Sequence, residues 1–342
     1  MIETGALRIG GFSRVFVWRP WRRVAIASLL LGLAIVACLS LGKVPLAPRE
    51  LAAALSAPGS DLGLIVWQLR LPRTLLGAMA GGALALSGWL LQQVVRNPLA
   101  SPDTLGVTGG ASAAAVGYLA FLAGTFGSAW LPLAAASGSL TAVGLVYALS
   151  WQQGVTPLRL VLMGIGLSAM LAAVTTFMLA SSPLSTTLSA YVWLTGSVYG
   201  GNWTEVSQLA SWFVGALLFM VPLTRFALLA PLDDALAVGI GVRVQLLRGA
   251  LTLLAAGLAG IAVAWGGAIA FVGLVAPHLA RRLVRGPGAA QIVMAGVIGS
   301  AMVVLADLLG RTLLLPLDLP AGIFVAAVGA PFFLGLLIRQ VR

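Results

Sequence analysis

A chain of 342 residues in which 60% are hydrophobic and only 8% charged is not a soluble globule, where charged side chains make up about a quarter of the total. Twenty basic residues against nine acidic ones give a formal charge of +11, and the single cysteine, Cys38, excludes an intrachain disulfide and any cysteine cluster for a metal. The composition is that of an all-α, polytopic membrane protein, and at about 20 residues per span the length accommodates about ten transmembrane helices.

Residues 1–23 form a basic leader with Arg8, Arg14, Arg19, Arg22 and Arg23, and 24–342 read as one membrane domain. The apolar run Val24 to Leu41 is too long and too poor in cleavage context for a signal peptide, so it is a retained first span; Ile35-Val36-Ala37-Cys38 has the look of a lipoprotein box but is followed by many further spans. Lys43 to Gly63 is a more polar connection. The second span runs from about Leu71 to Val95, with Gly77 and Gly81 at helix-packing spacing. Gly106 to Phe126, Trp130 to Ser150 and Leu158 to Ala180 are the next three, and Ser181 to Trp203 is a mixed segment whose Tyr191, Trp193, Tyr199 and Trp203 suit an interface. Glu205 to Phe226, Gly249 to Trp265, Gly267 to Leu283, Ala289 to Leu309 and Ile323 to Ile338 complete the ten, with Leu313 to Gly322 a proline-interrupted return.

Pro231 to Arg248 (PLDDALAVGIGVRVQLLR) is the longest interior stretch too polar for the bilayer yet still patterned. On composition it is an interfacial loop with a helical turn, in which Gly239 and Gly241 could divide one short helix into two. With the N-terminus inside and ten spans, fifteen arginines, among them Arg96, Arg159, Arg225, Arg243, Arg248, Arg281, Arg282, Arg285, Arg339 and Arg342, are cytoplasmic, whereas Lys43, Arg49, Arg70, Arg73 and Arg311 lie outside. That asymmetry obeys the positive-inside rule, puts both termini and the Pro231–Arg248 stretch in the cytoplasm, and accounts for the net charge without nucleic acid.

An ion-coupled carrier keeps ionisable residues in mid-membrane, but nearly all nine acids fall in loops or at span ends. Asp307 is the exception, and Arg311, four residues on, reads as its local ion-pair partner. The only lysine, Lys43, stands in Gly42-Lys43-Val44 with Ala37 where a phosphate loop needs its leading glycine, so ATP can drive this chain only through a separate subunit. Asp233-Asp234 lacks the further carboxylates that a magnesium-diphosphate site requires, and His278, the only histidine, makes neither a zinc site nor a triad. No metal site and no catalytic residue is expected.

The motifs Arg70-Leu71-Pro72-Arg73, RNPLASPDTLGV (96–107), WLTGS (193–197), GAIAFVGLVAPH (267–278), ADLLGR (306–311) and GAPF (329–332) resemble, in order and over nearly the whole chain after the leader, those of the FecCD family of ABC-importer membrane subunits for iron-siderophores, haem and cobalamin. The resemblance implies a type II importer, cobalamin-permease-like fold in the bacterial inner membrane, moving an iron(III)-siderophore-type chelate; haem or cobalamin, and an ion-coupled secondary transporter, are the alternative readings. It implies two membrane subunits, in a homodimer or related heterodimer, working with two ATPase subunits that hold ATP and Mg, and with a periplasmic or surface substrate-binding protein. Membrane lipid surrounds the assembly. It also implies cytoplasmic coupling helices at about 231–245, with Asp233, Asp234, Ala235, Leu236, Gly239 and Gly241 meeting the ATPase; the family commonly carries Gly-Glu where Asp233-Asp234 stands. Arg70, Arg73 and Arg311 match positions that present arginines to acids of the binding protein, and Val155, Thr156 and Pro157 lie near an inner gate.

Overall fold

The computed structural model describes residues 4–9, 12–284, 286, 288–314 and 317–341; Arg285 and Arg342, placed among the cytoplasmic arginines, lie outside them. The fold is helical except in the leader, where β1 (Thr4–Ile9) and β2 (Phe12–Val17) pair antiparallel, with Thr4 opposite Val17 and Ile9 opposite Phe12. Nothing in the basic pattern of that segment signalled a hairpin.

All ten expected spans appear as helices. Those with the length and composition to cross a membrane number eight among the described residues. They include α1 (Trp18–Ser40), which starts within the leader so that Arg19, Arg22 and Arg23 occupy its first turns. After α2 (Pro48–Ser56) comes the second, assembled from α3 (Asp61–Leu64), a π-helical stretch over Ile65–Arg70 and α4 (Leu71–Val95). The third expected span, α5 (Val107–Phe121), is only 15 residues and is followed by the single turn α6 (Ala123–Phe126). Then come α7 (Leu131–Leu149), α8 (Pro157–Ala180), the shorter α9 (Leu184–Leu194) in the mixed segment, α10 (Trp203–Ala227), α11 (Asp234–Gly239) and α12 (Val244–Gly266). The eighth expected span is a half-helix: Gly267–Phe271 is irregular and only α13 (Val272–Leu283) is helical, with α14 (Ala289–Thr312) and α15 (Ala321–Val341) completing the bundle.

At about 1.5 Å per residue α5 and α13 are roughly 22 and 18 Å long, short of a hydrocarbon core of about 30 Å. Ahead of α5, Asn97 and Pro98 are exposed but Ala100, Ser101, Pro102, Leu105 and Gly106 are buried, and ahead of α13 Gly267 and Ile269 are buried; such shelter is the condition under which non-helical chain is tolerated at membrane depth. Ahead of α5, Gly164 of α8 lies so near Thr104 that an added Cβ would stand 2.2 Å from the Thr104 carbonyl oxygen.

The bundle is built around α4, buried along most of its length and packed by α10, α12, α13 and α14. Lipid gives apolar side chains no reason to prefer protein, so association depends on backbones approaching closely at small residues. A Cβ on Gly81 would lie 2.2 Å from the Gly299 carbonyl oxygen of α14, and one on Gly88 would lie 1.8 Å from the Gly273 carbonyl oxygen of α13. Of the glycine pair noted in the sequence, Gly81 makes this intimate contact, whereas Gly77 meets Val303 at ordinary van der Waals distance. Ser87 donates to the Ala255 carbonyl of α12 at 2.6 Å and Trp89 Nε1 to Gln291 Oε1 of α14 at 3.1 Å, so these two buried polar groups of α4 join neighbouring helices.

Chain direction sorts the charges. The end of α1 lies against Arg70 at the start of the α4 segment, and the start of α1 lies against the end of α13, where Arg23 donates to the Leu283 carbonyl. Helices α1 and α4 therefore run antiparallel. Arg23 and Arg96 belong to one end of the bundle, and Arg70, Arg73 and Arg311 to the other.

Candidate functional site

At the Arg96 end, α4 stops where Arg96 adopts a left-handed conformation, φ 56°, that turns its side chain toward the α10–α12 connection. Its Nε donates to the Ala230 carbonyl at 3.0 Å and its Nη2 to Asp234 Oδ1. Arg248, 4% exposed in the opening turns of α12, donates from Nη2 to both oxygens of Asp234 at 3.0 and 3.2 Å, and from Nη1 to the Val155 carbonyl. Gln245 takes the Val155 N–H on its Oε1 at 2.9 Å and returns a bond of 3.4 Å from Nε2 to the Val155 carbonyl. Burial pushes the Asp234 carboxyl up, but the hydrogen bonds and charges of Arg96 and Arg248 outweigh it and hold the group below its ordinary value.

The two neighbouring aspartates thus do different work. Asp233 caps α11, its Oδ1 accepting from the Ala235 N–H at 2.9 Å, while Asp234 ties α11 to α4 and α12. The expected pair of short helices is one: α11 closes with the Ile240, Gly241 and Val242 N–H groups returning to Leu236, Val238 and Ala237, and the chain then enters α12 directly. The joint is Gly241, at φ 84°, and Gly239 is an ordinary residue of the helix. Ala237 faces inward, whereas Leu236, Val238 and Ile240 are 56%, 62% and 57% exposed. The result is a small apolar knob fastened from beneath by an ionic clasp.

The gate residues expected from the sequence, Val155, Thr156 and Pro157, adjoin this clasp. Val155 is fully buried with both backbone groups held by α12, Thr156 is exposed, and Pro157 opens α8.

At the opposite end, Arg73 Nε donates to Asp307 at 2.9 and 3.1 Å, while Nη1 and Nη2 grip Asp318 at 2.8 and 2.7 Å. The guanidinium also lies 5.3 Å from the Tyr199 ring centroid. The nearest approach of Arg311 to Asp307 is 3.9 Å, so the distant Arg73 displaces the expected neighbour as the principal partner. Instead Arg311 donates to the Cys38 carbonyl, and Arg70 to the carbonyls of Leu39 (2.6 Å), Ser40 (3.0 Å) and Val44. Cys38, Leu39 and Ser40 are the last residues of α1 and Val44 lies in the connection after it; the Ser40 carbonyl also accepts from the Leu46 N–H at 2.9 Å, and cations at this end complement the helix dipole as well as its last carbonyls. The π-helical stretch lets the segment reach them, because its wider turn ends in Arg70.

The three arginines expected to present themselves outward are therefore only 6% (Arg70), 8% (Arg73) and 8% (Arg311) exposed, and the donors that form these bonds are directed inward. They do line a cavity of about 520 Å³ together with Lys43, Tyr199 and Asp318, while Lys43 and Arg49 stand exposed nearby. Hydrogen bonds from Arg73 hold the Asp318 carboxyl below its ordinary range against the effect of burial.

Sequence reasoning missed Arg248, Gln245, Arg96 and Asp318 as site residues: Arg96 was read as the first residue of a motif and a topology signal, Arg248 as a topology signal at the end of the patterned stretch, and Asp318 as part of a return loop. The motifs, though separate in sequence, meet in space. Gly329 packs on Phe271, and the Phe332 ring sits edge-on to His278 with centroids 5.7 Å apart. The Gly196 carbonyl accepts from the Gly322 N–H at 2.9 Å, and Pro102 presses on Gly273.

A family model described as the FecCD transport family matches residues 29–339. The achromobactin transport system permease protein CbrC of Dickeya dadantii (strain 3937) is 58% identical, the likeness covering 97% of this chain and 98% of that protein. The iron(3+)-hydroxamate import system permease protein FhuG of Bacillus subtilis (strain 168) is 36% identical over 94% and 98%. A solved chain from an inward-facing conformation of a metal-chelate type ABC transporter superposes with a TM-score of 0.81 at 28% identity, covering 94% of this chain and 99% of that one.

Proposed function

The chain belongs to the FecCD transport family, and from that premise we propose that it is the membrane permease subunit of an ABC importer carrying an iron(III)-siderophore-type chelate across the inner membrane into the cytoplasm. One observation carries this reading: the likeness to a siderophore permease runs through practically the whole chain, so fold, motifs and both charged ends go together.

On this reading the Arg96 end is cytoplasmic. The apolar knob Leu236, Val238 and Ile240 enters a groove on an ATPase subunit that holds ATP and Mg, and two such subunits serve a pair of permeases. Nucleotide-driven closure moves α11, and the helices fastened to it follow. The Arg73 end faces the substrate-binding protein. Acidic side chains of that partner meet exposed Lys43 and Arg49 first, and the buried Arg70, Arg73 and Arg311 give the cavity behind them its positive field. A bulky chelate has already satisfied its metal, so the route needs packing surfaces rather than ligands. The buried acid, Asp307, is held by Arg73, an arrangement that suits a structural brace better than a proton carrier.

The test is ATP-dependent accumulation of radioiron-labelled achromobactin in vesicles containing the permease, its ATPase subunit and its binding protein. Uptake that stops when the ATPase loses its nucleotide site supports the reading. Uptake indifferent to that loss contradicts it.

A further inference from the structure

We propose that Arg248 is a positioning residue that carries the displacement of α11 into the loop ahead of α8, so that movement of the knob reaches the Val155 gate segment through one side chain. The inference rests on the permease reading and assigns a role that the family likeness does not supply.

Three observations combine. First, the bonds of Arg248 are divided between two segments, with Nη2 on both oxygens of Asp234 in α11 at 3.0 and 3.2 Å and Nη1 on the Val155 carbonyl in the loop ahead of α8. A planar guanidinium keeps those two directions at a fixed angle, so displacing one acceptor reorients the donor serving the other. Second, burial grades along the connection: the Asp234 side chain is 43% exposed, that of Arg248 4%, and Val155 fully buried. Force entering at the water-facing end is passed to a buried end with little freedom to dissipate it. Third, the loop has a second hold on the same helix. Gln245, one turn before Arg248, binds the Val155 N–H and carbonyl, so that the start of α8 follows α12 rather than moving independently.

Arg96 completes the clasp. It holds the same Asp234 oxygen from the end of α4, the most buried helix of the bundle, and so provides the fixed point against which α11 swings. A lever needs such a point. The connection is a two-acceptor fork, and lysine, a point charge on a flexible stem, cannot reproduce it.

The experiment reads the ratio of chelate taken up to ATP hydrolysed in vesicles holding the complete complex, for wild type, Arg248→Gln and Arg248→Lys. Charged hydrogen bonds of this kind are each worth enough to expect a fall of roughly tenfold in that ratio for Arg248→Gln. The complex still copurifies and hydrolyses ATP, and Arg248→Lys, although it retains the charge, is not rescued. An unchanged ratio in either variant overturns the proposal. So does a parallel fall of uptake and hydrolysis, which is what a purely structural arginine gives. If Arg248→Gln fails to assemble, Arg248→Lys keeps the buried charge and decides the matter by the same ratio. Absence of ATP-dependent uptake in the wild-type vesicles is a separate result, which removes the permease reading itself.

Discussion

Arg73 and Asp307 stand 234 positions apart in the chain and 2.8 Å apart in the fold, one at the start of α4 and the other near the end of α14. The same guanidinium reaches Asp318 in the connection to α15, so one side chain braces three segments at that end of the bundle. Removing one member of a buried ion pair leaves a charge uncompensated, at a cost of about 3–5 kcal/mol. Arg73→Ala is therefore expected to lower the melting midpoint of the detergent-solubilised protein sharply. Arg73→Met combined with Asp307→Asn, which leaves no buried charge at Asp307, recovers part of the loss. Equal melting of wild type and Arg73→Ala would show the brace to be idle.

Acid should loosen that end in a defined window. Asp318 is held below the ordinary carboxyl value of 3.8, so it binds protons less readily folded than unfolded. Its stabilising contribution is fully present above the unfolded value and is lost as pH falls through the folded one. The difference in melting midpoint between wild type and Asp318→Asn is thus expected to stay constant from about pH 8 to about pH 5, and to shrink below about pH 4. A difference that grows on acidification would contradict the assignment.

Glycine at the α4 crossings is a steric requirement. Gly88→Val would drive its side chain into the Gly273 carbonyl of α13, and Gly81→Leu into the Gly299 carbonyl of α14. Overpacking of this kind costs about 1–3 kcal/mol or more, and the contacts are with backbone, which cannot move aside as a side chain would. Both variants are expected to give little folded protein by size-exclusion profile, whereas alanine at Gly257, where a Cβ meets nothing within 4 Å, leaves the profile unchanged.

The membrane class, the order of the helices and the segregation of charge were all legible in the sequence, because hydropathy and arginine counting report properties that need no partner. Partner choice was not legible. Arg311, four residues from Asp307, looked like its mate, yet it turned to the end of α1 because the last helix carbonyls there compete for the guanidinium. Asp234 and Arg248 follow no helical spacing, since the left-handed turn at Gly241 intervenes between them. The half-length of α13 was hidden for a related reason: Gly267–Phe271 is apolar like a helix, and only its packing against Trp193, Gly196 and Gly329 reveals an irregular path.

The knob at α11 offers its own test. Leu236→Glu with Val238→Glu changes two exposed side chains that contribute nothing to the bundle interior, so membrane insertion and melting should match wild type. Copurification of the ATPase subunit is expected to fall at least roughly tenfold, as an apolar contact is replaced by two charges that must be desolvated. Full retention of the ATPase would move the contact elsewhere.

On the permease reading the driving force comes from a second protein, and one comparison addresses that directly. Sealed vesicles containing this chain alone, under an imposed proton or sodium gradient, are set beside vesicles that also contain the ATPase subunit and binding protein and are supplied with ATP, with the same radioiron-labelled ferric siderophore offered to both. Accumulation is expected only in the second set. Concentrative uptake by the chain alone, driven by the ion gradient, would contradict the account.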